Sequence, residues 1–294
     1  MLCESLAVKY AFIRAESVNH AVVKLCRVLD VCRSGFNKWK KAGETSARQQ
    51  YRIWLSQQIY RIFIESRQTY GSRRVFKELK NRGICVSRST VEKIMLEKGL
   101  APRRTRANKS TTDSKHKMPI SENVLNRNFN PGKPNEVWVS DITYIETHEG
   151  WLYLTVFLDL HSRMIVGWSM QKNMTADLVA SAYRMGVLRR GVHPKLVHSD
   201  RGSQYASEEF RKNLKGVCPQ SMSGKANCWD NAVSESFWKT LKAELVWREV
   251  FKTREQATMR IFEYIEVFYN KRRLHSALNY LSPADFELKG QKVA

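Results

Sequence analysis

The chain reads as α/β, with a mixed sheet covered by helices and preceded by all-α units. Two patterns carry this. After Pro134 the runs EVWVSDITYIE, GWLYLTVFLDLHSR and MIVGWSM are rich in Val, Ile, Tyr, Trp and Thr and are joined by short turns, as in neighbouring strands. Before residue 100, apolar residues instead recur at helical spacing in two separate units with helix-turn-helix character.

The first unit covers residues 1–44. In AVVKLCRVLDVCRSGFNKWKK, Leu25 and Leu29 end one apolar-faced helix, Asp30 to Arg33 break it, and Ser34 is placed to cap a second helix bearing Phe36 and Trp39. The second unit covers 45–100. There Val75, Phe76 and Leu79 face Val91, Ile94 and Met95 across a turn containing Gly83. Ser89 and Glu92 have capping-box spacing, and Gly99 is a natural stop. Either unit would look the same as a helical hairpin packed for stability alone. The charges favour DNA: Arg73, Arg74, Lys77, Lys80, Arg82, Arg88 and Lys93 stud the non-apolar faces, as phosphate contacts require.

Residues 101–132 are expected as a basic linker. PRRTRANKSTTDSKHKM is almost free of apolar residues and cannot pack a core. It is a solvated tether, or Arg103, Arg104 and Arg106 lie along a DNA backbone. Residues 133–294 then form the α/β unit with a C-terminal helical extension. Within it a helix is expected over Thr175 to Arg190, a short strand in PKLVHSD, and another helix from Ser207.

Charge separates the two halves. Basic residues number 27 against 10 acidic in 1–132, but 23 against 18 in 133–294, so +17 of the net +22 lies in the first part. A basic module tethered to a nearly balanced one suggests a polyanion grip joined to something with another task. The six cysteines fall at no zinc-like spacing and read as reduced, mostly packed thiols. Trp151 to Leu158, the most apolar run, is eight residues long and too short to span a bilayer, and the N-terminus lacks a signal layout. A cytoplasmic protein with no membrane partner is expected.

Carboxylates carry the chemistry. Asp141 sits between Val139 and Thr143 on one face of a strand whose other face holds Trp138 and Ile142. A charge there is costly unless an ion pair or a cation compensates it. Asp200 ends the strand in KLVHSD, a strand-end position where open mixed sheets place their sites, though a helix-capping role is its alternative. Glu235 lies on a helix whose apolar stripe is Val233, Phe237, Leu241 and Leu245, four before Lys239. By itself it reads as a solvated residue paired with that lysine. Together, three carboxylates suit two hard cations about 3.5–4 Å apart, the arrangement that clamps the attacking and leaving oxygens of a phosphodiester.

Asp159 is the rival to Asp141, with Arg163 as its expected partner, and a structural role is favoured. His198 reads as a structural histidine. Trp229 and Trp238 either stack on bases or pack. Lys239 and Lys242 stand where a DNA backbone would run. Lys271, Arg272 and Arg273, beside His275 and Ser276, grip phosphate or cap a helix C-terminus.

Six blocks in order, LCRVLDVCRSGFNKW, QTYGSRRVFKEL, WVSDITYI, LVHSDRGSQY, SMSGKANCWDNAVSESFWKTLKAE and YNKRRLHSALNYLSPADFE, resemble the second-frame transposase of the insertion-sequence-three family. That family's catalytic domain is similar to retroviral integrases. The resemblance implies a ribonuclease-H-like fold in which Asp141, Asp200 and Glu235 match the DDE triad and hold Mg²⁺, two ions, with Mn²⁺ as a substitute. It also implies cleavage and strand transfer at the element's ends, by a homo-oligomer on double-stranded DNA, with an upstream-frame product as a further partner. The 34 residues between Asp200 and Glu235 are one fewer than the family's usual spacing. The alternative is a catalytically incomplete DNA-binding regulator of its own element. A ribonuclease on RNA–DNA hybrids, suggested by the fold alone, fits the two upstream helical units less well.

Overall fold

A computed structural model describes residues 5–43, 47–102, 118–224 and 228–291. The first unit is three helices, α1 (Leu6–Glu16), α2 (Val22–Val28) and α3 (Arg33–Gly43), around Tyr10, Ile13, Cys26 and Phe36. Ser34 lies inside α3 rather than capping it, its hydroxyl 2.9 Å from the Cys32 thiol.

The long α4 (Ala47–Glu65) packs on the hairpin of α5 (Ser72–Asn81) and α6 (Arg88–Glu97) through Leu55, Ile59, Ile62, Val75, Leu79, Val91 and Ile94. Gly83 makes the turn at φ +75°, a conformation that costs side-chain-bearing residues dearly. The cap of α6 is Ser87, whose Oγ accepts the Thr90 amide at 3.1 Å, and Ser89 is already helical. The S-x-x-E spacing therefore misplaces the start by two residues. Ser87 has the extended backbone that a cap needs.

The sheet has five strands, β1 (Val137–Thr147), β2 (Gly150–Asp159), β3 (Ile165–Gln171), β4 (Leu196–Ser199) and β5 (Gln220–Met222), in the order β3-β2-β1-β4-β5. β1, β2 and β3 form an antiparallel meander, while β4 runs parallel to β1 and β5 parallel to β4. At three residues, β5 is too short to show a period, and no sequence pattern announced it. The expected helix α7 (Ala176–Arg190) begins where Thr175 Oγ1 accepts the Leu178 amide and connects β3 to β4. After β4 come α8 (Ser203–Ala206) and α9 (Glu208–Leu214), and after β5 come α10 (Ala232–Glu244), α11 (Arg254–Glu263) and α12 (Pro283–Gln291). A π-helical turn, Tyr264–Tyr269, extends α11.

Alternation along β1 and β2 feeds two cores. Trp138, Phe157 and Val166 meet Val179 and Tyr183 of α7 and Phe210 of α9. On the other face, Val139, Leu154 and Leu158 meet Phe237 and Leu241 of α10 and Ile261 of α11. The sheet is thus a filled layer between helices.

Residues 118–132, expected as linker, lie against this domain. Leu125 is buried, its amide donates to Ser221 Oγ, and Arg127 pairs with Asp230 at 2.8 Å. The C-terminal segment in turn reaches the second helical unit. Leu274 enters its core, and the Tyr70 hydroxyl accepts the Leu274 amide at 2.7 Å and donates to the Arg272 carbonyl at 3.2 Å. Of the four described cysteines, Cys26 and Cys218 are buried but Cys32 and Cys85 are exposed, so packing accounts for only half of them. Among the described residues, no helix is long and apolar enough to cross a membrane.

Candidate active site

Strand register brings the two aspartates together. The last parallel pair between β1 and β4 is Val139 with His198, and two residues further along each strand stand Asp141 and Asp200. Both line a cleft of about 520 Å³ that also includes Tyr144, Trp151, Tyr153 and Met174. The Asp141 carboxylate is oriented from both sides. Its Oδ1 accepts the Ile142 amide at 2.8 Å, and its Oδ2 accepts the Trp238 indole N–H at 3.0 Å. Asp200 Oδ1 accepts the Gly202 amide at 2.9 Å, so Asp200 shapes its own loop as well as facing the cleft.

The Trp238 bond also places Glu235. The two lie three apart on α10, hence on neighbouring positions of one helix face. Glu235 does not itself line the cleft, but its charge reaches Asp141. Burial, then the charges of Asp200 and Glu235, push the Asp141 carboxyl up to about 8. The arrangement repels its own negative charge, which is the condition a bound cation relieves. Glu235 meanwhile makes the lysine pair expected of a solvated residue, with Oε2 3.7 Å from Lys239 Nζ. Both side chains are well exposed, so the pair is weak and easily exchanged.

Around these groups the hydrogen bonding is dense. Tyr205, fully buried, shares its hydroxyl with Ser140 Oγ at 2.8 Å and Thr155 Oγ1 at 3.3 Å, and Thr155 also donates to the Asp141 carbonyl. Trp238, Thr155 and Tyr205 thus fix β1 where Asp141 leaves it. Sequence reasoning set Trp238 between stacking and packing and missed its donor role. The clue was its position three after Glu235.

Asp159 is structural, as expected, but not through Arg163. Its carboxylate accepts amide N–H groups from Asn135 (2.6 Å), His161 (2.8 Å) and Ser162 (3.3 Å), while Arg163 donates to the Phe129 carbonyl. Backbone amides at a strand end satisfy a carboxylate without recruiting a side chain. His198 is buried, hydrogen-bonded to Ser221 Oγ at 2.9 Å, and pushed down to about 4 by burial. It is a neutral structural histidine. Trp229 falls outside the residues whose side chains are described.

The expected DNA contacts divide. Arg73, Arg88, Lys93, Lys239 and Arg272 are exposed. Lys77 lies over the Tyr280 ring at 5.4 Å and Lys242 over the Tyr144 ring at 5.5 Å, the latter beside the cleft. Arg103 and Arg104 lie outside the described residues. Arg273 is the correction: it is buried and forked onto Glu244 at 2.8 and 2.9 Å, so as a surface DNA contact it is unavailable. Arg74 is half-buried with its guanidinium 5.6 Å over the Tyr70 ring, and it faces inward rather than to solvent.

A five-stranded mixed sheet with paired aspartates on its central parallel strands and a carboxylate on the crossing helix defines an integrase-type, ribonuclease-H-like core. Comparison with known proteins agrees. The Integrase core domain family matches residues 131–228, a second Integrase core domain family matches 235–290, and an HTH-like domain family matches 52–108. The transposase InsF for insertion sequence IS3A of Escherichia coli K12 is 40% identical over 289 residues, covering 96% of this chain and 99% of that one. An uncharacterized 31 kDa protein of insertion element IS600 from Shigella sonnei is 41% identical over 273 residues, covering 92% and 100%. An intasome structure of simian T-cell lymphotropic virus is similar at TM-score 0.45 and 16% identity, over 71% of this chain and 69% of that one. The chain belongs to the insertion-sequence transposase family typified by IS3.

Proposed function

We propose that this transposase cleaves DNA at the ends of its element and transfers the freed strand, using Asp141, Asp200 and Glu235 to hold divalent cations. One observation carries the proposal: register sets Asp141 beside Asp200 on adjacent parallel strands while Trp238 anchors the Glu235 helix to Asp141. The donor set is all carboxylate oxygen, which suits Mg²⁺ and its substitute Mn²⁺, and two ions would leave a net positive centre for a phosphate. When bound, such ions make a water or 3′-hydroxyl nucleophilic and stabilise the departing oxygen.

The chain's own residues do the rest. Asp141 is held in one orientation by Ile142 and Trp238, so its two oxygens are preset rather than ordered at the moment of reaction. Glu235 exchanges Lys239 for the site, which frees Lys239 for a nearby backbone phosphate. In the first step an oxygen bonds to phosphorus and the P–O3′ bond breaks, leaving a 3′-hydroxyl. In the second, the oxygen of that hydroxyl bonds to a target phosphorus as the target's own P–O3′ bond breaks and a target 3′-hydroxyl leaves, so no covalent protein intermediate is needed. The HTH-like unit supplies duplex grip, and a homo-oligomer pairing the two ends is the working form, with the upstream-frame product as a further partner.

The competing reading, a DNA-binding regulator without catalysis, is favoured by one fact. Among the described residues no three His, Cys, Asp or Glu side chains already converge as a metal site. Incubating the chain with a labelled duplex of its element end and Mg²⁺ or Mn²⁺, beside Glu235→Gln, separates the two. Cleavage or joining by wild type alone, with equal DNA binding, supports catalysis. Equal activity in both removes Glu235 from the site, and wild-type inactivity with the upstream product added leaves the regulator.

A further inference from the structure

Where α5, α10 and the C-terminal segment meet, the protein holds a second pocket of about 310 Å³ that strand breakage does not use. Arg74 enters it from α5, Arg163 from the β2–β3 turn, Ser236 and Thr240 from α10, and Arg273 and His275 from the C-terminal segment. Three guanidinium groups therefore converge. No carboxylate lines the pocket among the described residues; the nearby Glu244 is already forked by Arg273 and hydrogen-bonded by the Tyr264 hydroxyl. Asp159 stands behind Arg163, but three backbone amides occupy its oxygens.

Positive charge in the pocket is left over. Arg74 makes no ion pair among the described residues. Arg163 spends Nη2 on the Phe129 carbonyl, and its Nη1 is buried with no hydrogen-bond partner. Burial first, then the positive charge of Arg273, lowers the proton affinity of Arg74. His275 is driven well below its usual range by burial and by all three arginines, so it contributes a neutral ring. A buried donor without an acceptor and like charges in one cavity both cost stability unless an anion enters. Ser236, Ser276 and Ala277 are exposed at the rim, so the cavity is reachable.

The anion's source follows from α10. Ser236 and Thr240 lie roughly 100–160° round α10 from Glu235 and Trp238, so the pocket and the Asp141 side of that helix are separated by about one helix width, roughly 10–12 Å. A nucleic-acid backbone that leaves the cleft and passes round α10 is a polyanion long enough to reach both. Guanidinium forks and hydroxyls are the donors that fit a phosphate.

We propose that this pocket seats one backbone phosphate of the bound DNA, gripped at once by Arg74 of the HTH-like unit and Arg163 of the integrase core. The source of the phosphate rests on the DNA reading above, but strand chemistry does not enter. Seating the phosphate would add, only when DNA is in place, a further tie between two units already joined through Leu274 and Tyr70.

The test uses the full chain in EDTA, with anisotropy of a labelled element-end duplex between 50 and 200 mM salt, so that cleavage plays no part. Arg163→Gln should flatten the slope of log K against log salt by about 0.9, the value of one phosphate. A duplex with a single neutral methylphosphonate at the contacted position should bind wild type and variant alike. Ser236→Glu, a rim change, should raise the melting temperature by supplying the missing anion and weaken DNA binding at least about tenfold, a pair of opposite shifts that misfolding cannot produce. Unchanged slope in Arg163→Gln with unchanged binding in Ser236→Glu overturns the proposal. So does a melting temperature raised by inorganic sulfate that leaves the DNA salt slope of both variants at the wild-type value, which would make the pocket a free-anion site.

Discussion

Asp141 is held in its folded place with a carboxyl that prefers its proton. The group titrates near 3.8 when free and at about 8 when folded, because burial and the neighbouring Asp200 and Glu235 disfavour its charge. Between those values the folded state binds the proton that the unfolded chain releases. Stability from this group is therefore lost as pH rises through the window from about 4 to 8. In metal-free buffer, Asp141→Asn should melt higher than wild type at pH 8, by on the order of 2 kcal/mol after allowing for partial exposure, and match it near pH 4. Adding Mg²⁺ at pH 8 should raise the wild-type melting temperature and leave the variant's unchanged. Trp238→Phe keeps the packing on Phe237 but deletes the N–H that holds Asp141 Oδ2. A hydrogen bond to a charged group is worth about 1.5–3 kcal/mol. Cleavage should fall roughly tenfold or more with DNA affinity intact, and weakened binding instead would return Trp238 to a stacking role.

At the scale of elements, the closest approach is between β3 and α7. A Cβ on Gly167 would lie 2.1 Å from the Ala182 carbonyl oxygen and 2.7 Å from the Gly186 nitrogen, and neither backbone atom can step aside. Gly167→Ala should therefore cost about 3 kcal/mol or more, the upper range for overpacking, read as a lower denaturant midpoint with an unchanged slope. This contact also explains how far pattern reading could go. The strands β1 to β3 were legible because each alternates or runs apolar over seven residues or more. β5 was not, since three residues carry no period and its place comes from pairing with β4. Helix starts slipped by one or two residues at Ser34 and Ser89; at α6 Ser87, Ser89 and Thr90 offer competing caps and backbone conformation chooses Ser87, while α3 already begins at Arg33 before its one nearby hydroxyl.

Across the whole molecule, the buried pair of Glu244 with Arg273 ties α10 to the C-terminal segment, which in turn enters the core of the second helical unit through Leu274. Burial alone would raise the Glu244 carboxyl, but Arg273 and the Tyr264 hydroxyl outweigh it and hold it below its ordinary value. Glu244→Gln strands a buried guanidinium and should destabilise by about 3–5 kcal/mol, measured by chemical denaturation. Replacing both partners by apolar residues of similar volume should recover most of that loss, which distinguishes an unpaired charge from lost packing.

What the sequence by itself determined is the chemistry present and the periods that place it. The basic first half, the helical units, the three long strands and the three carboxylates were all readable, because local spacing decides which face a side chain takes. The tertiary structure alone decided who meets whom. It set Asp200 beside Asp141 through a parallel register between strands far apart in the chain, gave Trp238 to Asp141, took Arg273 from the surface for Glu244, and gathered Arg74, Arg163 and Arg273 around one pocket. Such pairings depend on which buried charges and donors find partners when distant segments pack, a competition that no short stretch of sequence contains.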